Sequence, residues 1–188
     1  MKQGVMIAAL LVMLFGVSVT AQADKKADRV FGWVEKATLE PWGVEVKAKL
    51  DTGALTSSLH ASDIERFEKA DKKWVRFTVD VENEATGKEV AKTFEKPVYR
   101  DVTLRGAGGE SHRPVVIMAI CMAGVIHEEQ FSLRDRGGMI YPLLIGRRAI
   151  QHLGLVDVTR TFLNDPDCDE DSPLIRFDPD NADEDIGA

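Results

Sequence analysis

The segment Val44-Glu45-Val46-Lys47-Ala48-Lys49-Leu50-Asp51-Thr52-Gly53 decides the fold of this 188-residue chain. Its first seven residues alternate apolar and polar side chains, which predicts a half-buried strand. The strand runs directly into Asp51-Thr52-Gly53, which places a carboxylate at a tight turn. Gly53 lets the backbone bend sharply and bring its N–H toward the Asp51 carboxylate. A later apolar run, Leu143–Gly146, is the element that we expect to pack beside this turn.

The rest of the chain predicts a largely β architecture, because short alternating segments are separated by turn residues. One helix is predicted at Arg147–Leu153, ending at Gly154 as a C-cap. Another is predicted at Ser62–Ala70, where Ser62 and Glu65 have capping-box spacing. The expected fold class is an all-β, closed β-barrel with one short C-terminal helix. Further strands are predicted at Arg29–Thr38, Ser57–His60, Trp74–Val81, Glu89–Lys96, Val98–Leu104, Pro114–Met122 and Ile126–Leu133.

The two ends of the chain differ in character from its middle. Met1–Ala23 has a positive start, an apolar run and a small-x-small site, as a secretory signal peptide does. We expect cleavage after Ala23, no stable membrane insertion afterwards, and a periplasmic location. Residues 24–164 then form one domain, and 165–188 form an acidic, flexible C-terminal tail with ten acids and one base.

Charge and cysteine content narrow the classes of partner. The formal net charge is −7, which argues against binding to nucleic acid or anionic membrane surfaces. An oxidising compartment permits a bond between Cys121 and Cys168. However, Cys121 lies in an apolar strand pattern, where a lone cysteine is usually a small buried hydrophobe. We therefore expect two free thiols.

The chemistry that the Asp-Thr-Gly turn suggests is peptide hydrolysis without a covalent intermediate. Two carboxylates about 3 Å apart share one proton, so one can activate water while the other polarises the scissile carbonyl. This chain has one such motif. The alternative interpretation is that Asp51 only caps its own turn, as aspartates at strand ends often do.

The blocks around Asp51 resemble a known bacterial family. Lys47–Ala61, Trp74-Val75-Arg76-Phe77 and Asp135-Arg136 through Gly146-Arg147 are similar to the retropepsin-like aspartic peptidases historically labelled "ATP-dependent zinc proteases" and linked by name to RimK-type ligases. The order of motifs is that of retropepsins, the dimeric retroviral aspartic proteases. The resemblance covers about Phe31–Thr159 and implies a retropepsin-like fold.

The resemblance also implies roles for individual residues. Asp51 from each of two subunits would form the dyad, since the chain carries one Asp-Thr-Gly and is too short for two halves. Thr52, Gly53 and Ala54 would shape the active-site loop, and Gly146 and Arg147 would support it. The hairpin tip Gly106-Ala107-Gly108-Gly109 would form a flap over an extended peptide substrate. No cofactor is expected.

Ala54 departs from the pepsin-like pattern, which has Ser or Thr at this place. The missing hydroxyl removes one hydrogen bond that stabilises an ionised carboxylate. We therefore expect activity nearer neutral than strongly acidic pH.

Two other functions remain open at this level. The chain could be a non-catalytic module of the same fold that binds a peptide or signals in the cell envelope. A metal-dependent peptidase is a more distant alternative. The sequence contains no His-Glu-x-x-His motif, and the four histidines lack the spacing of metal ligands. They are His60, His112, His127 and His152.

Overall fold

The computed structural model describes residues 29–106 and 109–180. This part of the chain is mostly β-strand with one short helix, as predicted. In chain order the elements are β1 (Val30–Gly32), β2 (Val34–Glu40), β3 (Val44–Leu50), β4 (Ser57–His60), β5 (Ser62–Lys69), β6 (Lys72–Asn83), β7 (Lys88–Pro97), β8 (Arg100–Gly106), β9 (Gly109–Met122), β10 (Val125–Arg134), β11 (Leu143–Ile145), α1 (Arg147–Leu153), β12 (Leu155–Asp157) and β13 (Leu174–Ile175).

Six strands close into a ring through their hydrogen bonds. Going around it, β10 pairs with β4, β4 with β11, β11 with β3, β3 with β2, β2 with β9, and β9 with β10 again. The alternation that predicted β3 is realised here, because its apolar side chains are buried and its polar ones are half-buried. The ring surrounds the hydrophobic core, to which Leu39, Val46, Ile120 and Phe131 contribute fully buried side chains.

The short strand β11 brings the two motif regions together. It runs parallel to β3, with Ile145 opposite Leu50, and antiparallel to β4, with Leu143 opposite Leu59. The expected packing of the late apolar run beside the Asp-Thr-Gly turn is therefore present. Because β11 lies between β3 and β4, it separates the strands on either side of the turn.

A separate three-stranded sheet is inserted between β4 and β8. It has the order β5-β6-β7, and all its pairings are antiparallel. Val75, Phe77 and Val79 of β6 are fully buried in the same core as the ring. The predicted helix at Ser62–Ala70 is wrong: this segment is β5, and Phe67 lies opposite Trp74 of β6. The capping-box spacing was misleading because the partner strand, which is distant in sequence, supplies the backbone hydrogen bonds.

The single predicted strand at Arg29–Thr38 is divided into β1 and β2 at Trp33. The division arises because β1 pairs with β12, whereas β2 pairs with β3 and β9. Glu35, which is fully buried, stabilises this junction. Its carboxylate accepts hydrogen bonds from the backbone N–H groups of Gly32 at 2.5 Å and of Leu163 and Asn164 at 3.1 Å each. A buried carboxylate held by several N–H donors joins the two ends of the domain.

Residues 165–180 are attached to the ring at several points. Cys168 forms a disulfide with Cys121 of β9, so the expectation of two free thiols is wrong. β13 pairs in parallel with β10, and the Phe177 ring contacts Tyr99 edge-on at 4.9 Å between centroids. Cys121 is a buried strand residue, as the apolar pattern indicated, but it is also a disulfide partner. The sequence interpretation of Cys121 as a small buried hydrophobic residue did not anticipate the bond. The boundary at 164 and the flexibility of the tail at 165–188 remain predictions.

The remaining predicted elements are confirmed or lie outside the described residues. The helix at Arg147–Leu153 is present and ends at Gly154, whose N–H donates to the Ile150 carbonyl. Across residues 29–106 and 109–180, no helix has the length and apolar character to cross a membrane. The predicted signal peptide at Met1–Ala23 lies outside the described residues.

Candidate active site

Asp51 is held at the end of β3 by contacts on both sides of the turn. Its N–H donates to the Ile145 carbonyl of β11 at 2.8 Å, and its carbonyl accepts from the Ala54 N–H at 3.1 Å. The Gly53 N–H donates to the Asp51 carboxylate at 3.0 Å, as the sequence predicted. The carboxylate is thus fixed by the main chain, with 26% of the side chain exposed to solvent.

A lysine that sequence reasoning did not assign to the site contacts this carboxylate. Lys49 Nζ lies 3.2 Å from the second Asp51 oxygen. Residues two apart on a strand point to the same face, and this spacing was the available signal. Lys49 and Asp51 therefore form an ion pair within one chain.

The rest of the loop is supported by the predicted Gly146-Arg147 turn. Arg147 donates through its guanidinium to the Thr52 carbonyl at 2.9 Å and through its backbone N–H to the Ala54 carbonyl at 2.8 Å. Gly146 is closely approached by this loop, since a Cβ there would lie 2.8 Å from the Leu55 carbonyl oxygen. Thr52 and Gly53 are exposed to solvent, so they form the open face of the loop.

The predicted flap is the tip of the β8–β9 hairpin, in which Gly106 pairs with Gly109. Ala107 and Gly108 lie outside the described residues. The base of this hairpin contacts the active-site loop, because Arg100 donates to the Thr56 hydroxyl at 2.9 Å. The hairpin therefore starts beside the Asp51 loop, while its role as a flap stays a prediction.

Three arginines whose charges act on one another form a cationic cluster that the sequence did not suggest. We call Arg113, Arg134 and Arg136 the arginine cluster. Burial lowers the pKa of Arg136, and the charges of Arg134 and Arg113 lower it further, whereas Asp51 acts in the opposite direction. Burial, and then Arg134, also lowers the pKa of Arg113. The charges of the three guanidinium groups therefore act on one another, and the charge of Asp51 acts on Arg136.

Arg136 is a buried cation. Only 7% of it is exposed, and its Nε donates to the Tyr141 carbonyl at 3.1 Å. Within residues 29–106 and 109–180, none of the three cluster arginines makes an ion pair with a carboxylate. A buried cation that lacks a carboxylate is costly, so this arrangement is suited to receive an anionic group from outside the chain.

The histidines do not form a metal centre in the part of the chain that the structure describes. No group of three His, Cys, Asp or Glu side chains there has an arrangement that could hold a metal ion. His152 instead bonds Glu129 at 2.8 Å, and His112 bonds the Thr103 hydroxyl at 2.9 Å on the β8–β9 hairpin.

The fold and the loop geometry define the class as a retropepsin-like β protein with its Asp-Thr-Gly turn intact. Residues 30–167 match the family model for RimB-like proteins, described as the retropepsin-like aspartic endopeptidase RimB. This match covers more than half of the chain, and the chain belongs to that family.

Two curated relatives and one solved structure are also similar to this chain. The chain is 36% identical to Lpg0085 of Legionella pneumophila, a protein of unknown function, with a TM-score of 0.62 over 73% of this chain and 98% of that one. It is 31% identical over 119 residues to a probable alpha-L-glutamate ligase of Shewanella pealeana and 33% identical over 117 residues to one of Parasynechococcus marenigrum. These matches cover 62% and 60% of this chain, but it spans only about a quarter of those relatives, 25% and 24%.

Proposed function

We propose that this protein is an aspartic endopeptidase in which Asp51 activates water for peptide-bond hydrolysis. The observation that carries the proposal is the geometry of the Asp51 loop. Backbone contacts from Ile145, Gly53 and Arg147 position the carboxylate and its turn, while Thr52 and Gly53 face solvent. A rigidly held carboxylate at an open surface is suited to act on a group that approaches from outside.

The proposed mechanism requires a second carboxylate, which a symmetric homodimer would supply as Asp51 of another copy. The two groups would share one proton; the ionised group would take a proton from water, and the protonated group would polarise the scissile carbonyl. Thr52 on the exposed face would join the two loops. Lys49 would reduce the repulsion between the two approaching carboxylates, because its charge is already 3.2 Å from Asp51.

We further propose that the substrate is an extended peptide with acidic side chains. The support is the arginine cluster, in which Arg136 is buried and makes no ion pair with a carboxylate among the described residues. Arginine binds carboxylates through two parallel hydrogen bonds. The Shewanella and Parasynechococcus relatives are named probable alpha-L-glutamate ligases, which supports a glutamate-containing peptide as the substrate in this proposal.

The first test is cleavage of two labelled peptides of equal length, one rich in glutamate and one neutral, between pH 4 and pH 8. We expect the wild type to cleave the acidic peptide and a chelator to leave the cleavage rate unchanged. In Asp51→Asn we expect the cleavage rate to fall by roughly 10³-fold or more, the scale of a lost catalytic group. Persistence of cleavage in Asp51→Asn would show that the named site is wrong, and loss with a chelator would support a metal-dependent peptidase.

The pH dependence in the same assay tests the effect of Ala54. Because this residue has no hydroxyl to stabilise an ionised carboxylate, we expect an optimum nearer neutral than strongly acidic pH. Ala54→Ser should move the acid limb of the rate profile to lower pH. An optimum below about pH 3, where hydroxyl-supported dyads can work, would contradict this expectation.

A non-catalytic peptide-binding module is the second candidate. It is favoured by the Lys49–Asp51 contact of 3.2 Å, which occupies one carboxylate oxygen in the single subunit. If both wild type and Asp51→Asn are inert but bind the acidic peptide with equal affinity, this second function is the correct one. Export to the periplasm is likewise a proposal, tested by the N-terminal residue of the protein recovered from that compartment.

A further inference from the structure

His60, at the end of β4, is a buried histidine with no part in the proposed chemistry. Only 3% of it is exposed. Its Nδ1 accepts a hydrogen bond from the Arg136 backbone N–H at 2.8 Å. Because a nitrogen that accepts cannot carry a proton, this contact assigns the neutral ring with its hydrogen on Nε2.

The other side of the ring faces the inserted sheet. His60 Nε2 lies 3.2 Å from the Asp80 carboxylate of β6, without the alignment of a full hydrogen bond. The Ser62 hydroxyl, which donates to Asp80 at 2.8 Å, and then His60 lower the pKa of Asp80. Asp80 is therefore an ionised carboxylate at neutral pH, and it orients the Nε2–H side of the ring.

His60 also holds both ends of the loop that carries Arg136. The loop leaves β10 at Arg134 and enters β11 after Pro142. At its start Nδ1 holds the Arg136 N–H, and at its end the His60 backbone N–H donates to the Pro142 carbonyl at 2.8 Å. The next residue, Ala61, donates to the Arg134 carbonyl at 3.0 Å. His60 and Ala61 thus anchor the backbone of the loop that carries Arg136 at both of its ends.

We propose that His60 is a positioning residue for substrate binding: it holds the Arg136 loop in the arrangement that receives a substrate carboxylate, and it couples this loop to Asp80 of the inserted sheet. This inference rests on the proposed acidic-peptide function. His60 does not touch the substrate. Its effect on activity is exerted through Arg136, and it should therefore depend on the charge of the peptide.

Two substitutions separate the two contacts of the ring. In His60→Asn the amide oxygen can take the place of Nδ1 and accept from the Arg136 N–H. In His60→Gln the amide nitrogen can take the place of Nε2 beside Asp80, while the acceptor for Arg136 is lost. We expect His60→Gln to raise KM for the acidic peptide about tenfold, the scale of one lost buried hydrogen bond, with kcat changed less than about twofold.

The controls define what a purely structural role would do. We expect His60→Asn to keep KM for the acidic peptide within about twofold of wild type, and neither variant to change KM for the neutral peptide. His152→Gln, on α1 and bonded to Glu129, should leave both KM values unchanged. Equal losses on both peptides, or equal losses in His60→Asn and His60→Gln, would overturn the proposal. If His60→Gln fails to fold, Asp80→Ala is the second variant. An unchanged KM for the acidic peptide in Asp80→Ala would also overturn the proposal.

Binding to the full-length Asp51→Asn protein separates this inference from the proposed hydrolysis. We would measure the Kd of the acidic peptide by fluorescence anisotropy in Asp51→Asn with and without His60→Gln. An absence of cleavage by wild type together with a tenfold weaker Kd in the double variant would reject the hydrolysis and retain the role of His60. Cleavage by wild type, with no change in KM or Kd caused by His60→Gln, would reject the role of His60 and retain the hydrolysis. An absence of binding of the acidic peptide to Asp51→Asn would also reject the role of His60.

Discussion

At the scale of single residues, the position of Asp51 depends on how closely two backbone segments approach each other. β11 and the segment after Asp-Thr-Gly meet at Gly146, whose N–H donates to the Ser57 hydroxyl at 3.0 Å. The Arg148 N–H continues these contacts by donating to the Leu55 carbonyl at 3.2 Å. The φ of Gly146 is −89°, a value that any residue can adopt. The site therefore needs a glycine here because there is no room for a side chain, and not because of the backbone conformation.

This close approach predicts the effect of Gly146→Ala. The new Cβ would lie 2.8 Å from the backbone of both Leu55 and Thr56, so the Asp51 loop must move. We expect a loss of about 1–3 kcal/mol in the free energy of unfolding, typical of overpacking, and loss of peptide cleavage. Urea denaturation measures the first effect.

Gly138→Ala is the matched control, since a Cβ at Gly138 would have no atom within 4 Å. Its stability should stay within about 0.5 kcal/mol of wild type, as for surface substitutions. Equal stability of the two alanine variants would mean that the contact at Gly146 is looser than the structure has it.

At the scale of elements, the C-terminal segment is joined to the ring by several different interactions. The Cys121–Cys168 bond closes a loop with a sequence separation of 47 residues. Beyond it, β13 adds two residues to the edge of β10, and the Phe177 N–H donates to the Glu128 carboxylate at 3.2 Å. A two-residue strand pairing is weak by itself, so the covalent bond keeps the segment at high local concentration beside β10.

Removal of this bond should therefore destabilise the domain. For a loop of this length, the chain-entropy model assigns the disulfide about 4 kcal/mol, and measured values are commonly 2–4 kcal/mol. We expect reductant to lower the guanidinium midpoint of the wild type. Cys121→Ala/Cys168→Ala should show the lowered midpoint with or without reductant, which makes it the control. Alkylation of both cysteines in unfolded protein without reductant would contradict the bond.

At the scale of the whole molecule, a single chain carries half of the proposed catalytic machinery. It has one Asp-Thr-Gly turn, and the exposed face of that turn consists of Thr52 and Gly53. The inserted sheet β5-β6-β7 packs on the same core as the ring and reaches the Arg136 loop through Asp80 and His60. Assembly of two copies would therefore affect the dyad directly and the arginine cluster only indirectly.

Dimer formation has a direct prediction. Sedimentation equilibrium should detect a species of twice the subunit mass. Thr52→Ala should raise the dimer dissociation constant about tenfold, the scale of lost hydrogen bonds at a buried interface. Specific activity should fall on dilution below that constant. Thr86→Ala, in the exposed β6–β7 turn, should change neither quantity. A monomer with undiminished activity at every concentration would exclude the shared dyad.

The sequence by itself determined the features that depend on neighbours along the chain. Alternation predicted β3 and most other strands, and Gly154 marked the end of α1. The motif blocks around Asp51 indicated the family, because local patterns of burial and turn formation are written in adjacent residues. The tertiary structure decided whatever depends on residues distant in sequence. Strand β5 forms because β6 pairs with it, Cys121 meets Cys168 across the fold, and His60 on β4 contacts Arg136, which follows β10.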